Sequence, residues 1–183
     1  MIMVKLLALT LVSCQIDDNQ NSFNDNFTAS SDPSATYEGK WTVGSTSGIT
    51  GMAVVSGKEI LLYNVPYTEI TQQLFQTNNV ESAKGSNSTN EKLRFTVTQA
   101  SDKTLLYSLE PTEWHFSVLV DKKPYSVSIA ISPNAPLDNT TISWGTLSKA
   151  GVMTLVLHVT SYTMNSGETN PVSLKIVFTA KRK

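Results

Sequence analysis

The stretch Trp114–Ile131, WHFSVLVDKKPYSVSIAI, decides the fold because large apolar residues alternate with small or polar ones along most of its length. Side chains of a strand point alternately to its two faces, so this period of two predicts a pair of strands with one buried face. The turn between them is predicted at Lys122-Lys123-Pro124. A slip of one residue would expose every large group, so the register is strongly specified. The residues predicted to face the core are Trp114, Phe116, Val118, Val120, Tyr125, Val127, Ile129 and Ile131.

Similar alternation continues on both sides of this hairpin, with turn residues at roughly 8–12-residue spacing, which is typical of an all-β sandwich or barrel. We predict an antiparallel β-sandwich, immunoglobulin-like or similar, with one short helix. Pro66 interrupts the β pattern, and the apolar residues behind it recur at helical spacing, which predicts a helix over Tyr67–Gln76 that caps an open end of the sheets. The ten predicted strands are 39–43, 52–55, 60–65, 93–98, 105–109, 114–120, 125–131, 140–147, 152–162 and 172–180.

Three segments between these strands carry weaker patterns. Residues 77–91 are rich in Asn and Ser and predict an exposed loop. Pro133–Asp138 is predicted to be a crossing loop. Thr140–Leu147, which carries Trp144, is predicted to be a weak strand at the edge of a sheet.

The N-terminus has the pattern of a secretory signal, because Lys5 precedes a short apolar run. The run is far shorter than the roughly 20 residues of a membrane-spanning helix. It ends in Leu11-Val12-Ser13-Cys14, which resembles the lipobox of bacterial lipoproteins. The resemblance implies a signal peptide over 1–13, cleaved before Cys14, and a cysteine that receives fatty acyl chains such as palmitate. Cys14 is the only cysteine, so it has no disulfide partner in the chain. The alternative is an unmodified cysteine that follows a signal-like stretch by chance.

The segment behind the cysteine is polar. Residues 15–36 are rich in Asn, Asp, Gln and Ser, a composition that predicts disorder. We therefore expect 14–36 to be the acylated cysteine with a tether, and 37–183 to be a single β domain. Asp17 and Asp18 resemble the acidic signal that directs Bacteroidetes lipoproteins to the outer face of the outer membrane. The alternative is that these residues only solvate the tether.

The charge balance excludes a strongly basic protein. Fourteen basic and fifteen acidic residues give a net charge of −1, so the composition predicts no nucleic-acid partner. The tail Lys181-Arg182-Lys183 is interpreted as a solvated end of the chain.

No set of residues predicts catalysis, a cofactor or a metal. His115 and His158 have no acidic residue at a matching offset, whereas zinc needs three or four ligands. Glu110 and Glu113 could form the carboxylate pair of a glycoside hydrolase, but residues around a corner such as Pro111 are more often plain turn residues. The sequence therefore predicts that this protein is not an enzyme.

The three tryptophans are the candidates for a binding surface, since an exposed indole can stack on a sugar ring. Trp114 belongs to the predicted core face of the hairpin. Trp144 is therefore the candidate binding residue, ahead of Trp41.

Two resemblances extend this interpretation. The chain resembles a family of uncharacterised Bacteroides-type surface lipoproteins, a domain of unknown function that brings no active site. The features that carry the resemblance are the lipobox, the polar tether, Tyr37-Glu38-Gly39, Val65-Pro66-Tyr67-Thr68-Glu69-Ile70, the Trp114–Ile131 hairpin and a last strand that ends in Lys181-Arg182-Lys183. Gly39-Lys40-Trp41, near the start of the β domain, is similar to the Gly-x-Trp opening of lipocalins. That second resemblance implies a β-barrel in place of a sandwich.

Three functions are compatible with the sequence. The first is a membrane-anchored, non-catalytic lipoprotein that binds a glycan or protein partner, or has a structural role, at the bacterial cell surface. The second is a lipocalin-like carrier of a small apolar ligand. The third is an enzyme of unfamiliar type, which would need a cleft with convergent polar groups.

Overall fold

The computed structural model describes residues 33–86, 90–100, 104–131 and 143–183. This part of the chain forms eleven strands and one helix, so the all-β prediction with one short helix is confirmed. The elements are β1 (Ala35–Val43), β2 (Thr46–Ser56), β3 (Glu59–Tyr63), α1 (Tyr67–Phe75), β4 (Val80–Gly85), β5 (Glu91–Ala100), β6 (Thr104–Leu109), β7 (Thr112–Val120), β8 (Lys123–Ile131), β9 (Trp144–Ser148), β10 (Val152–Met164) and β11 (Thr169–Arg182).

The strands form one antiparallel sheet that closes on itself. Its order is β11-β1-β2-β3-β5-β6-β9-β10, and β10 pairs again with β11. The result is an eight-stranded barrel, so the sandwich prediction is wrong and the barrel alternative is favoured. Closure depends on β11, which pairs with β1 along one edge and with β10 along the other. At eight strands the interior of a barrel is just wide enough to be filled by side chains.

A three-stranded extension branches from the barrel at β10. The first half of β10 pairs with β9 between Met153 and Val156, and its second half pairs with β8 between Val159 and Met164. From β8 the sheet continues through β7 to β4. The barrel and the extension therefore share one strand, and their buried residues form a single hydrophobic core.

Small residues let the barrel bend at one row. Gly39 pairs with Gly51 on β2 and with Ala180 on β11. A Cβ atom on Gly39 would lie 2.1 Å from the carbonyl oxygen of Thr179, and one on Gly51 would lie 2.1 Å from Nε1 of Trp41. The indole of Trp41 thus occupies the space that a side chain on β2 would need. This close packing explains why two glycines lie directly opposite each other in the middle of their strands.

The β7–β8 hairpin, Trp114–Ile131, has the predicted register. Trp114 pairs with Ile129 and Phe116 with Val127, and seven of its eight predicted core residues are buried, Tyr125 being partly so. The predicted turn is misplaced: it begins one residue too late and ends two residues too late, because the turn is Asp121-Lys122, with φ angles of 48° and 62°. Positive φ at both central residues is typical of a two-residue hairpin turn of type I′, and Lys123 and Pro124 then belong to β8.

The helix is confirmed to within one residue. It ends at Phe75, and Gln76 adopts a left-handed conformation with φ 52° as its C-cap. Ile70, Thr71 and Leu74 form its buried face. α1 contacts β4 and β7 of the extension and β1 and β11 of the barrel, so it packs between the two parts of the sheet.

Two other predictions are corrected. Residues 77–91 are not a continuous loop, because β4 lies within them and pairs with β7, with Gly85 opposite Phe116. β9 is not an edge strand, because β6 and β10 pair with it on its two sides. β7 is distant in sequence from β4, and β6 is distant from β9, so local composition carries no signal for these two pairings. The predicted crossing loop Pro133–Asp138 lies outside the described residues.

Candidate functional site

Trp144 is the first residue of β9 and points away from the barrel interior. The next residue, Gly145, is buried on the inner side, where a Cβ atom would lie 2.8 Å from Leu155. Trp144 is 36% exposed, the highest exposure of a large aromatic side chain in the described residues. Strand alternation explains this placement, because Gly145 takes the inner position and Trp144 therefore takes an outer one. At an outer position, only the neighbouring side chains of the sheet can cover the indole.

The surroundings of Trp144 follow from the strand register. On either side of it lie Ser108 of β6 and Val156 of β10, and Val177 of β11 lies beyond Val156. Val156 is only 3% exposed, although its position is on the outer face. The next cross-strand row on the same face consists of Thr146, Thr154 and Thr179, which carry hydroxyl groups. We call this surface the β9–β11 wall; it consists of Trp144, Thr146, Thr154, Val156, Val177 and Thr179.

The two histidines lie in separate places. His158 follows Val156 on the outer face of β10, and its backbone N–H donates to Oγ of Ser143 at 3.0 Å. Burial lowers the pKa of His158, and the positive charge of Lys175 lowers it further. His115 is half exposed on β7, where Nδ1 lies 2.6 Å from Oγ of Ser128. The described residues contain no group of three His, Cys, Asp or Glu side chains that could hold a metal ion.

Glu110 and Glu113 have different surroundings. Glu110 lines a shallow surface groove of about 290 Å³ together with Lys92 and Arg94. Glu113 lies beside His115 on the same face of β7, with 3.9 Å between its Oε2 and the imidazole Nε2, so the expectation that His115 has no acidic residue at a matching offset is wrong. These different neighbours give no support to a carboxylate pair.

The structure contains one buried polar pair that the sequence did not indicate. Tyr67, at the start of α1, donates a hydrogen bond from its hydroxyl to Oε1 of Glu91 at the start of β5. Glu91 is only 2% exposed. Burial raises its pKa, and the hydrogen bond from Tyr67 and the charge of His115 oppose that rise. Burial and the nearby carboxylate together raise the pKa of Tyr67 strongly. The two residues are 24 positions apart on different elements, so no sequence spacing could have paired them.

The barrel interior contains polar atoms without partners. Trp41 is fully buried and packs on Phe178, with 4.5 Å between ring centroids. Its Nε1 and the hydroxyl of Tyr107 have no hydrogen-bond partner in the described structure, and neither has Nε1 of Trp114. Trp41 and Trp114 are thus core residues, which leaves Trp144 as the tryptophan on the surface.

Cys14, the predicted lipidation site, lies outside the described residues. Within the ranges that are described, no helical segment has the length and apolar character of a membrane span. No protein-family model matches this chain, and searches among curated proteins and among solved structures likewise match nothing.

Proposed function

We propose that this protein is a membrane-anchored bacterial lipoprotein whose β domain is a non-catalytic binding module at the cell surface. The observation that carries the proposal is the contrast between the two faces of the barrel. Trp41 and Tyr107 are buried in the interior, whereas Trp144 is exposed on an outer wall rich in hydroxyl groups. An exposed indole can bury the apolar face of a sugar ring, and the adjacent hydroxyls can bond to its polar edge.

The absence of catalysis is part of this proposal. Glu91, a buried carboxyl with a raised pKa, is the kind of group that often marks an active site. Its hydrogen-bond partner is the hydroxyl of Tyr67 at the start of α1; Glu91 is buried and Tyr67 is partly buried. This arrangement supports a structural role in holding α1 against the barrel.

Glycan binding tests the role of the β9–β11 wall. The full-length protein, purified in detergent, is applied to an array of host and dietary glycans, together with Trp144→Ala and Trp144→Phe. We expect binding that the alanine variant loses and that the phenylalanine variant largely keeps, because stacking requires only an aromatic ring. Binding that is equal in all three proteins would contradict the assignment of Trp144.

The anchor is tested independently by Cys14→Ser. We expect this variant to leave the membrane fraction, because acyl chains supply the membrane affinity at about 0.8 kcal/mol per buried methylene. Mass spectrometry of the wild-type N-terminal peptide should show acyl chains on Cys14. An unmodified thiol, or a variant that stays in the membrane fraction, would contradict the lipoprotein assignment.

A second candidate is a carrier of a small apolar ligand with a polar end. It is favoured by the closed barrel and by the two buried donors, Nε1 of Trp41 and the hydroxyl of Tyr107, which lack acceptors. A buried donor without a partner costs about 1–3 kcal/mol, and a ligand oxygen would remove that cost. Organic extraction of the purified protein followed by mass spectrometry tests this function. It is ruled out if no compound co-purifies and fluorescent apolar probes do not bind.

A further inference from the structure

The outer faces of β11 and β1 carry an excess of positive charge beside the β9–β11 wall. Lys175 and Lys181 are on the same face of β11 as Thr179, and Lys40 of β1 lies directly opposite Thr179. All three lysines are exposed. We call Lys40, Lys175 and Lys181 the cationic rim. Because the whole chain has a net charge of −1, this is a local concentration of positive charge.

One carboxylate lies beside the rim, because Glu38 of β1 is directly opposite Lys181 of β11. Lys183 follows β11 and forms an ion pair with Glu38, with 2.8 Å between Nζ and Oε1. Glu38 is thereby occupied by a cation outside the rim. In the described parts of the chain, no carboxylate lies within ion-pair distance of any rim lysine. Lys175 also lies opposite His158 on β10, where its positive charge adds to burial in lowering the pKa of His158.

The rim and Trp144 are close enough to contact one ligand. β9 and β11 are separated by β10 alone, so Trp144 is about 10 Å across the wall from Val177, which lies between Lys175 and Lys181 on β11. Thr146, Thr154 and Thr179 lie between or beside them in one row. Lys175 and Lys181 are six residues apart on one strand, which corresponds to about 20 Å. Such an elongated surface fits a chain of sugar units better than a single one.

We propose that the β9–β11 wall binds an anionic glycan, a polysaccharide that carries sulfate or carboxylate groups. Trp144 packs on a sugar ring, the threonine hydroxyls bond to ring hydroxyls, and the cationic rim contacts the acidic groups. The inference rests on the proposed binding function and narrows its ligand to a charged class. An anionic membrane surface would need only the lysines, whereas the exposed indole and the row of hydroxyls favour a sugar chain.

The experiment measures binding of the purified full-length protein in detergent to immobilised chondroitin sulfate, with neutral dextran of similar length as the comparison. Vesicles containing anionic phospholipid are tested in parallel. We expect binding to chondroitin sulfate that exceeds binding to dextran and to vesicles. We also expect it to weaken when salt is raised from about 0.05 to 0.5 M, since exposed charges are screened.

Matched variants locate the site. Lys175→Gln/Lys181→Gln removes two rim charges, and we expect it to weaken binding about 3- to 20-fold, because exposed charge contacts contribute modestly. The control, Lys84→Gln/Lys122→Gln, removes the same charge from the extension and should change binding less than about twofold. Trp144→Ala should weaken binding to the sulfated chain without removing its salt dependence.

Other results of these binding measurements would contradict one or both proposals. Equal loss in the rim and control variants overturns the proposed site. Binding to dextran as strong as to chondroitin sulfate, and sensitive to Trp144→Ala, overturns the anionic ligand but keeps the proposed glycan function. A preference for vesicles replaces the sugar chain by a lipid surface. Failure to bind any of the three, combined with an empty glycan array, overturns both proposals.

Discussion

At the scale of single residues, the buried pair Tyr67–Glu91 shows how a fold can hold a carboxyl group away from water. Glu91 starts β5 directly opposite Leu62 of β3, so the strand register places it in an apolar setting. Transfer of a charged carboxylate out of water is costly, which is why its pKa rises. A hydrogen bond from Tyr67 offsets part of that cost.

The raised pKa of Glu91 predicts a pH effect on stability. The folded protein binds the proton of Glu91 more tightly than the unfolded chain does. The contribution of this proton to stability is therefore fully present below the ordinary pKa of 4.5 and is lost as the pH rises through the raised value. Glu91→Gln has no such proton, so its free energy of unfolding should fall less than that of the wild type as the pH rises from 4.5.

Urea denaturation at a series of pH values measures both profiles. Glu59, whose pKa is lowered mainly by the hydrogen bond from Lys92, acts in the opposite direction but is present in both proteins. It therefore cancels in the difference. Identical pH profiles for the two proteins would show that the burial of Glu91 does not affect stability.

A second prediction at this scale concerns Gly39. Its Cβ site is 2.1 Å from a backbone oxygen, which cannot move as a flexible side chain could. Gly39→Ala should therefore destabilise the protein by roughly 1–3 kcal/mol or more, as overpacked sites do. Gly57→Ala is the control: it has a φ of 58° but open space around its Cβ site, so only the cost of the left-handed backbone applies. Thermal unfolding of both variants ranks them, and a smaller loss at Gly39 would contradict the close packing.

At the scale of elements, the β7–β8 hairpin was the most predictable part of the fold. Alternation of large and small residues specified its register, because a slip of one residue would turn Trp114, Phe116 and Ile129 away from the core. The turn was misplaced by one residue at its start and by two at its end. Neither residue of the turn, Asp121 or Lys122, is a glycine, so the sequence does not indicate a left-handed backbone there. Pro124 is of a type that is common in turns, which shifted the prediction toward it.

The hairpin turn gives a third prediction. Lys122 has a φ of 62°, a conformation that costs a residue with a Cβ atom roughly 1–2 kcal/mol and glycine almost nothing. Glycine loses more conformational entropy on folding than lysine does, which offsets part of this gain. Lys122→Gly should therefore stabilise the protein by about 0.5–1 kcal/mol. The backbone bond from Lys122 N–H to Glu81 is kept. Lys123→Gly, one residue later in β8, should destabilise instead. Chemical denaturation distinguishes the two, and a loss of stability in both would contradict this turn geometry.

At the scale of the whole molecule, β10 connects two parts that could have been separate. Its first half completes the barrel and its second half starts the extension. α1 packs on both parts, and their apolar residues form one core. A chain with one shared core is expected to unfold in a single cooperative step.

Two buried tryptophans test that cooperativity. Trp41 reports on the barrel in a Trp114→Phe/Trp144→Phe variant, and Trp114 reports on the extension in a Trp41→Phe/Trp144→Phe variant. In each variant, the unfolding midpoint measured by tryptophan fluorescence should coincide with the midpoint measured by circular dichroism. Comparing the two signals within one variant removes the effect of any stability that the substitutions cost. An earlier fluorescence transition for Trp114 alone would show that the extension opens before the barrel.

The sequence by itself determined the local features of this protein: strands with period-two burial, the helix behind Pro66, the hairpin register, and the surface candidate Trp144. Each of these depends on side chains a few positions apart. Only the tertiary structure decided that the sheet closes, that β4 pairs with β7, and that Tyr67 meets Glu91. A sandwich and a barrel bury the same alternating pattern, so their difference lies in which distant edges pair. That choice depends on strand length and on the close approach at Gly39 and Gly51, which no local pattern records.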